Sequence, residues 1–218
     1  MKKVLVTGSE GQLGQALFSV ASAFPSLELH FFSRKELDIT DYDSVHTLLS
    51  SGQWDAVLNC AAYTDVDRAE QFPKQAFLIN AQAVEELAKA CEREQIYLVH
   101  ISTDYVFDGK KKTPYTPLDA PNPINQYGKS KWEGEKAIEK VGGTYSIVRT
   151  SWLYSEYGDN FYTKIVAKAH QNKTLFVTDK QTGTPTHAKN LANYLLLGIQ
   201  NETLKKGISH YSDGEAMT

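Results

Sequence analysis

The sequence predicts an α/β protein built on a doubly wound parallel sheet. Short apolar runs typical of strands alternate with segments of helical periodicity over residues 3–149. A glycine-rich turn directly follows the first apolar run and opens the first helical segment. Strands separated by helices form right-handed crossover units, which place the strands parallel in one sheet. The chain has 218 residues, enough for one sizeable domain and part of a second.

The order of the elements follows from their patterns. Apolar runs rich in β-branched residues predict strands at 3–7, 27–32, 56–61, 96–101 and 145–149. Helical patterns lie between them at 13–23, 42–50 and 129–141. Apolar residues spaced by three and four over 77–91 predict one long helix with a single apolar face. The polar, proline-rich stretch 108–125 predicts a long loop over the active site.

Composition and charge narrow the function classes. The formal net charge is −3, which argues against electrostatic binding of nucleic acid. Apolar runs stay well below the ~18 residues of a membrane span, so we expect no membrane partner. Cys60 and Cys91 lie far apart in apolar contexts, which favours reduced thiols and a cytoplasmic location. The histidines have no HxxxH or CxxC companions, so no metal site is predicted.

The first motif that carries chemistry is the turn GSEGQLG, with Gly8, Gly11 and Gly14 at spacings of three. Glycines permit a tight turn and let the backbone approach a pyrophosphate, while the helix N-terminus supplies N–H groups and a partial positive charge. Turns and helix starts also use glycine for purely structural reasons. The position between a strand and a helix favours nucleotide binding.

Arg34 stands just past the second strand, where dinucleotide-binding folds contact the adenosine ribose. An acidic residue there would bind the 2′-hydroxyl of NAD, whereas an arginine suits the 2′-phosphate of NADP. The alternative is a solvated loop arginine. Asp38 and Ile39 follow in a turn that is well placed to flank an adenine ring.

Tyr127 and Lys131 are spaced i and i+4, so they share one face of a helix. A nearby ammonium is expected to lower the pKa of the tyrosine and prepare it to exchange a proton with a carbonyl oxygen. Thr103 ends the fourth predicted strand and would present its hydroxyl to the same oxygen, since ligands bind at strand carboxyl ends in such folds. His100, earlier on that strand, is expected to be packed rather than catalytic.

These residues together resemble the extended short-chain dehydrogenase/reductase superfamily, and within it the dTDP-4-dehydrorhamnose reductase family. The resemblance covers residues 3 to about 193 and is carried by TGSEGQLG, NCAAYTDVDRAE, LINAQAVEELA, HISTDYVFDG, NQYGKSKWEGEKA, VRTSWLYSEYGDNF and DKQTGTPTHAKNLA. STDYVFDG and RTSWLY are the specific parts, because the glycine turn and YxxxK occur across the superfamily.

The resemblance implies a Rossmann-like fold, an NADPH cofactor with NADH as the alternative, and a dTDP-sugar substrate. The implied reaction reduces the C4 keto group of dTDP-4-dehydro-L-rhamnose, with hydride from the nicotinamide and a proton from Tyr127. The implied cofactor contacts are Gly11, Gln12, Leu13, Asp38, Ile39, Ala62, Tyr63, Thr64, Tyr127 and Lys131. The implied substrate contacts are Thr103, Asp104 and Trp152.

The sequence departs from the family pattern in two places. Some family members hold Mg²⁺ between glutamates at a dimer contact, and Gln15 and Lys189 stand at those positions here. Any homodimer is therefore expected to lack a bridging metal. We also divide the chain into a dinucleotide-binding domain, 1–151, and a partial substrate lobe, 152–218, with some return to the main domain. Because we expect that lobe to be incomplete at Thr218, this length is expected to bind NADPH but to reduce the sugar poorly.

Two other functions stay open at this level. A nucleotide-sugar epimerase or dehydratase would share the fold, and a dehydratase usually needs an acidic residue beside the active threonine, as Asp104 is. A regulatory subunit could bind nucleotide with this fold and catalyse nothing. The presence of Thr103, Tyr127 and Lys131 together argues against a pure binding module.

Overall fold

Strands and helices alternate along the computed structural model, which describes residues 1–171 and 181–217. The strands are β1 (Lys2–Thr7), β2 (Leu27–Phe32), β3 (Ala56–Asn59), β4 (Tyr97–Thr103), β5 (Tyr145–Thr150), β6 (Leu153–Tyr154), β7 (Thr186–His187) and β8 (Gly207–Tyr211). The helices are α1 (Gln12–Val20), α2 (Tyr42–Ser51), α3 (Val66–Gln71), α4 (Pro73–Phe77), α5 (Ala83–Arg93), α6 (Gln126–Val141), α7 (Phe161–His170) and α8 (Ala188–Asn201). Short 3₁₀ turns at Ala21–Ala23 and Asp104–Val106 and a π-helical segment at Leu78–Gln82 complete the described elements.

Within the described residues, six strands form one parallel sheet in the order β2-β1-β3-β4-β5-β8. The predicted doubly wound α/β fold is therefore confirmed. The chain winds outwards in one direction to β2 and in the other from β3 onwards. Such a reversal opens a crevice at the carboxyl ends of the central strands, where ligands bind. The short strands β6 and β7 pair separately, beyond the carboxyl end of β5.

The apolar core lies on both faces of the sheet. One face is covered by α1 and α8, whose Leu17 and Leu195 are fully buried against the strands. The other face is covered by α2, α5 and α6, through residues such as Leu87 and Ile138. Burying one such side chain contributes roughly 1.5–3 kcal/mol, so the sheet is held rigidly between two layers. None of the helices in residues 1–171 and 181–217 combines the length and apolar character of a membrane span.

The region predicted as one long helix is interrupted in the structure. It consists of α4, the π-helical segment and α5, and it is preceded by α3, which the sequence pattern did not predict. The interruption coincides with Asn80, a fully buried polar residue whose side chain bonds the backbone of Tyr63 instead of facing solvent. A π-helical turn is a common adjustment where a helix must present one side chain at a particular place.

The C-terminal part of the described chain returns to the main sheet. Helix α8 packs on α1, and β8 extends the sheet by pairing with β5 from Ser146–Gly207 to Thr150–Tyr211. The division at residue 151 remains an interpretation of the sequence. Residues 172–180 and Thr218, assigned above to the substrate lobe, lie outside the described residues, as do Asp179 and Lys180 of the DKQTGTPTHAKNLA segment.

Candidate active site

The glycine turn between β1 and α1 is tight enough to exclude side chains. Gly8 has a φ of +66°, and a Cβ there would lie 2.8 Å from the Ala61 backbone nitrogen. A Cβ on Gly14 would lie 2.4 Å from the carbonyl oxygen of Gly8. The Gly11 N–H donates to that same carbonyl at 3.0 Å and closes the turn. The backbone can therefore come close to a bound group, as the motif predicts.

Helix α1 begins at this turn without a capping side chain. Its N-cap is Gly11, so the first-turn N–H groups of Gln12 and Leu13 are not satisfied by a cap. The Gln12 side chain is already engaged: its Nε2 donates to Leu153 O at 3.0 Å, and its Oε1 accepts from Asn160 Nδ2 at 2.5 Å. The backbone of this turn, rather than the Gln12 side chain, is thus suited to binding an anion.

A cleft beside the turn brings together four of the residues expected to contact the cofactor. It has a volume of about 480 Å³ and is lined by Arg34, Ala62, Tyr63 and Thr64, together with Arg68. Ligand clefts commonly fall in the range of about 300–1,000 Å³. The arginine after β2 and the loop after β3 therefore meet across one opening that could hold an adenosine group.

Asp38 lies close to Arg34, whose Nε donates to Asp38 Oδ2 at 3.0 Å. Burial alone would raise the pKa of Asp38, but hydrogen bonds from Thr40 and the neighbouring Arg34 hold it below its usual value. Ile39 is buried against Ile79 and next to Tyr63, under the floor of the cleft. Arg34 keeps further N–H groups for an anion, because a guanidinium carries five of them.

Helix α6 places Tyr127 and Lys131 on one buried face, 9% and 2% exposed. The helix begins at Gln126, earlier than predicted, because the Asn125 side chain accepts from the Gly128 N–H at 2.7 Å. Gly128 is required by close packing, since a Cβ there would lie 2.1 Å from Tyr105 O. The rings of Tyr105 and Tyr127 meet edge to face at 5.6 Å between centroids.

The titration of Tyr127 differs from the expectation. Burial raises the pKa of Tyr127 to about 12, the Thr103 hydroxyl opposes this by hydrogen bonding, and the charge of Asp104 adds to it. The expected lowering by Lys131 is wrong for this structure, because burial sets the direction of the shift and the amine contacts Ile101 O and His100 instead. A phenol held in its protonated form is suited to giving a proton to a developing oxyanion.

Lys131 lies in the interior with two neighbours on β4. Its Nζ donates to Ile101 O at 2.7 Å and lies 3.1 Å from His100 Nε2. Burial lowers the pKa of Lys131 to about 8, although the negative charge of Glu135 on the same helix opposes the shift. A lysine that titrates near neutral pH is typical of a functional site rather than of a solvated surface.

Thr103 and Asp104 follow one another at the carboxyl end of β4. The Thr103 hydroxyl donates to Asp104 Oδ1 at 3.1 Å and accepts from the Tyr105 N–H at 3.2 Å. Burial raises the pKa of Asp104 to about 6, against the hydrogen bond from Thr103. Both residues therefore stand at the edge of the crevice, and the threonine hydroxyl is bonded to Asp104 and Tyr105 in the 3₁₀ turn that follows β4.

Trp152 lies at the same edge of the sheet. Thr103 pairs in register with Thr150, and Trp152 follows Thr150 by two positions. Its backbone is left-handed, with a φ of +44°, and its ring is so close to Gly183 that a Cβ there would lie 2.3 Å away. A strained backbone of this kind often marks a functional site.

Gln15 and Lys189 stand where some family members have metal-binding glutamates, and both side chains form contacts within this chain. Gln15 Nε2 donates to Glu10 O at 2.8 Å. The Lys189 ammonium forms an ion pair with Glu156. In the part of the chain that the structure describes, no group of three acidic, histidine or cysteine side chains is arranged to hold a metal ion.

Three buried polar residues near the site were missed or undervalued from the sequence. Asn80 bonds both the N–H and the carbonyl of Tyr63 and also Ser130 on α6, so it ties the loop after β3 to α6. Asn59 and His100 form hydrogen bonds beneath Lys131. The available signal was a polar residue within an otherwise apolar strand or helix face, because a buried polar group needs a partner.

Comparison with known proteins identifies the family. A family model described as "RmlD substrate binding domain" matches residues 1–218. The chain belongs to this family. A dTDP-4-dehydrorhamnose reductase of Sinorhizobium fredii is 40% identical over 221 residues, which covers 98% of this chain and 74% of that protein. The protein of the same name from Aggregatibacter actinomycetemcomitans is 38% identical over 216 residues, which covers 97% of this chain and 74% of that protein.

Solved structures agree with this family membership. A dTDP-4-dehydrorhamnose reductase from Bacillus anthracis in complex with NADP superposes with a TM-score of 0.94 at 35% identity, covering 100% of this chain and 77% of that one. The enzyme from Clostridium acetobutylicum gives a TM-score of 0.93 at 36% identity, covering 99% and 76%. A UDP-glucose 4-epimerase from Brucella ovis superposes with a TM-score of 0.86 at only 17% identity, a likeness of fold alone.

Proposed function

We propose that this protein is an NADPH-dependent oxidoreductase that reduces the C4 keto group of dTDP-4-dehydro-L-rhamnose and gives dTDP-L-rhamnose. One observation carries the proposal within this family: the Tyr127 phenol on α6 lies beside Thr103 at the carboxyl end of β4, one helical turn from the buried Lys131. A carbonyl oxygen placed between the two hydroxyl groups would meet a hydrogen-bond donor and an acid.

The residues around the crevice fit a dinucleotide. The turn at Gly8, Gly11 and Gly14 excludes side chains, and the uncapped start of α1 offers N–H groups to a pyrophosphate. The cleft beside it presents Arg34 to a 2′-phosphate, with Tyr63 opposite. NADPH, when bound, supplies the hydride. The residues assigned to holding it are Gly8, Gly11, Gln12, Leu13, Gly14, Arg34, Asp38, Ile39, Ala62, Tyr63, Thr64, Tyr127 and Lys131.

Tyr127 is assigned as the general acid. Burial keeps its phenol protonated, so a proton is available when negative charge develops on the C4 oxygen. Thr103 would orient that oxygen through its hydroxyl. Lys131 lies one turn further along α6 and would bond the nicotinamide ribose and restore charge balance when Tyr127 becomes a phenolate.

The substrate is assigned to the edge formed by Thr103, Asp104 and Trp152. Asp104 is largely buried beside Thr103 and can hydrogen-bond a sugar hydroxyl in either protonation state. Trp152 offers an aromatic surface held in one place by Gly183. Aromatic rings of this kind are common partners for sugars and bases because they combine a large apolar face with rigidity.

A nucleotide-sugar epimerase or dehydratase remains the alternative of the same class. Asp104 beside Thr103 is the specific observation that favours a dehydratase, because a pKa of about 6 lets it act as an acid near neutral pH. A regulatory subunit that only binds nucleotide is the alternative of a different class. It has no need of a buried lysine beside a tyrosine and a threonine at the carboxyl end of a strand.

The decisive assay follows NADPH absorbance while dTDP-4-dehydrorhamnose is formed in the same cuvette by the preceding enzyme. A reductase consumes one NADPH for each sugar reduced. An epimerase or dehydratase changes the sugar with no net loss of NADPH, because it returns the hydride to the substrate. A binding protein changes neither.

Assembly and location complete the proposal. Gln15 and Lys189 are engaged with Glu10 and Glu156, so we assign no bridging metal to a homodimer of this chain. Cys60 and Cys91 are both free thiols, and burial raises the pKa of each to about 12. Unreactive, reduced thiols suit a reducing compartment, and we place the reaction in the cytoplasm.

A further inference from the structure

Lys131 is unusual in having an imidazole as a close neighbour. Its Nζ is 3.1 Å from His100 Nε2, and both side chains are almost completely buried. A lysine ammonium is a donor only, and a neutral imidazole has one donor and one acceptor nitrogen. The protonation state of Lys131 is therefore coupled to the tautomer of His100. That tautomer is set by the hydrogen bond that the other ring nitrogen, Nδ1, makes.

The second ring nitrogen of His100 continues a chain of hydrogen bonds across three strands. His100 Nδ1 is 3.0 Å from Asn59 Nδ2, and Asn59 Oδ1 accepts from the Thr7 hydroxyl at 2.7 Å. Thr7, Asn59 and His100 lie on the adjacent strands β1, β3 and β4, and each is at most 1% exposed. Water has no access to these groups, so each must find its partner within the chain.

The backbone fixes the direction of this chain. The Ala61 N–H, which can only donate, is shared between Asn59 Oδ1 and the Thr7 hydroxyl oxygen at 3.2 Å each, so an Asn59 NH₂ group turned to this side would set two donors against each other. The oxygen of the Asn59 amide therefore faces Ala61 and Thr7, and its NH₂ group faces His100 Nδ1. That nitrogen must accept, so a neutral His100 carries its proton on Nε2 and points it at Lys131.

We propose that Thr7, Asn59 and His100 form a directed hydrogen-bond relay that sets the protonation state of Lys131, with His100 donating from Nε2 to the neutral amine. His100 is a positioning residue in this relay. The use of Lys131 in catalysis rests on the proposed function, whereas the relay is a property of the folded protein.

The surroundings of His100 and Lys131 agree with a hydrogen bond donated by His100 Nε2 to a neutral Lys131 amine. Burial and the nearby Lys131 charge hold the pKa of His100 well below its usual value, so its ring stays neutral. The groups facing Lys131 are His100 and Ile101 O from β4, Cys60 after β3, and Glu135 from α6. Glu135 and Cys60 favour the ammonium, but Glu135 is shared with Ser102 and with Arg149 in a buried ion pair.

A relay of this direction has a chemical use. After Tyr127 has given its proton away, a Lys131 ammonium can restore it: an N–H bond breaks, an O–H bond forms, and phenolate and ammonium become phenol and neutral amine. His100 stabilises the neutral amine that remains. An amine whose two forms are close in free energy at the working pH makes this exchange at the lowest cost.

The test reverses the direction of the relay by replacing the NH₂ group of Asn59, a donor, with a carboxylate oxygen, an acceptor. In Asn59→Asp, one carboxylate oxygen keeps the contacts with Thr7 and Ala61, and the other can only accept from His100 Nδ1. His100 must then present a bare Nε2, which favours the Lys131 ammonium. The pKa of Lys131 is measured in cofactor-free protein from the pH dependence of its ¹³Cε NMR signal, assigned with Lys131→Met, with the exposed Lys129 as internal reference. We expect a rise of about one pH unit or more, a tenfold change in proton affinity.

A second variant separates the relay from simple attraction by the new charge. In a His100→Leu background the relay is cut, so Asn59→Asp should shift the Lys131 titration far less than in the native chain. An equal shift in both backgrounds, or no shift in the native chain, would overturn the proposal. Should Asn59→Asp not fold, Asn59→Leu removes the amide donor to His100 Nδ1, releases the tautomer and should also raise the Lys131 titration, whereas Thr7→Ser, which keeps the hydroxyl, should not; equal behaviour of these two would likewise overturn it.

The outcome is independent of sugar turnover. The titration is read without cofactor or substrate, so a protein that shows the relay but does not oxidise NADPH contradicts the proposed function alone. A protein that reduces the sugar normally while Asn59→Asp leaves the Lys131 signal unmoved contradicts the relay alone.

Discussion

Replacing Tyr127 by phenylalanine removes one hydroxyl group from the proposed site and leaves the ring in place. The ring is 9% exposed and meets Tyr105 edge to face, so the packing of α6 should persist. Loss of the polar contact with the Thr103 hydroxyl costs at most ~0.5–1.5 kcal/mol of stability, a small fraction of the total. Because burial raises the pKa of Tyr127 to about 12, the phenol is protonated in essentially every native molecule near neutral pH. Tyr127→Phe therefore removes a proton donor from the whole population.

Tyr127→Phe is expected to lower the turnover rate rather than protein stability. General acid catalysis contributes ~10²–10⁴-fold, which corresponds to roughly 3–5 kcal/mol of transition-state stabilisation. The assay is the initial rate of NADPH oxidation at saturating sugar, together with NADPH affinity by calorimetry, which should change little. Tyr105→Phe is the matched control, because it removes the same group from the other ring of the pair. Turnover of Tyr127→Phe at the level of this control would refute the role of the phenol.

Three further predictions concern the cofactor, metals and pH. Arg34→Ala should weaken the binding of NADPH by about tenfold and that of NADH hardly at all, since an exposed charge-assisted hydrogen bond contributes ~1.5 kcal/mol. Calorimetry measures both affinities, with Lys35→Ala as the control. Equal losses of affinity for the two cofactors would contradict this role of Arg34. Excess chelator should leave turnover and sedimentation unchanged, because Lys189 occupies the position of a metal-binding carboxylate; a change in either would be inconsistent. Burial raises the folded pKa of Asp104 from 3.8 to about 6, so its ionisation costs stability as the pH rises through that window. Asp104→Asn should therefore stabilise the protein at pH 7, by at most about 3 kcal/mol, and make little difference below pH 4; a pH-independent effect in denaturation curves would be evidence against this.

The first half of the fold follows closely from sequence patterns. The predicted strand at 27–32 is β2 itself, and β1 and β5 differ from the predicted strands by one residue at an end. These strands are short, largely apolar or alternating segments bounded by turns, a strong local signal for a strand. The C-terminal part was harder, because β8 includes polar and aromatic residues and finds its place only through pairing with β5 at the sheet edge. Pairing between distant segments leaves no local signature.

The candidate site was only partly predictable. The spacing of Tyr127 and Lys131 placed them on one helix face, and the structure buries both there. Their protonation was not predictable from spacing, because it depends on burial and on partners from other strands. His100 illustrates the limit: a histidine within a buried strand is expected to be packed, and it is, yet its contact with Lys131 arises from the crossing of α6 over β4.

The central claim is that this site transfers a hydride to C4 of a dTDP-keto sugar. NADPH carrying deuterium at the transferable position of C4 of its nicotinamide tests it most directly, with both faces labelled in separate reactions. The account predicts dTDP-L-rhamnose with one deuterium at C4 of the sugar from one of the two labelled cofactors, located by NMR and mass spectrometry. Sugar that is converted without deuterium at that carbon in both reactions, or both labelled cofactors recovered unchanged after conversion, would contradict it.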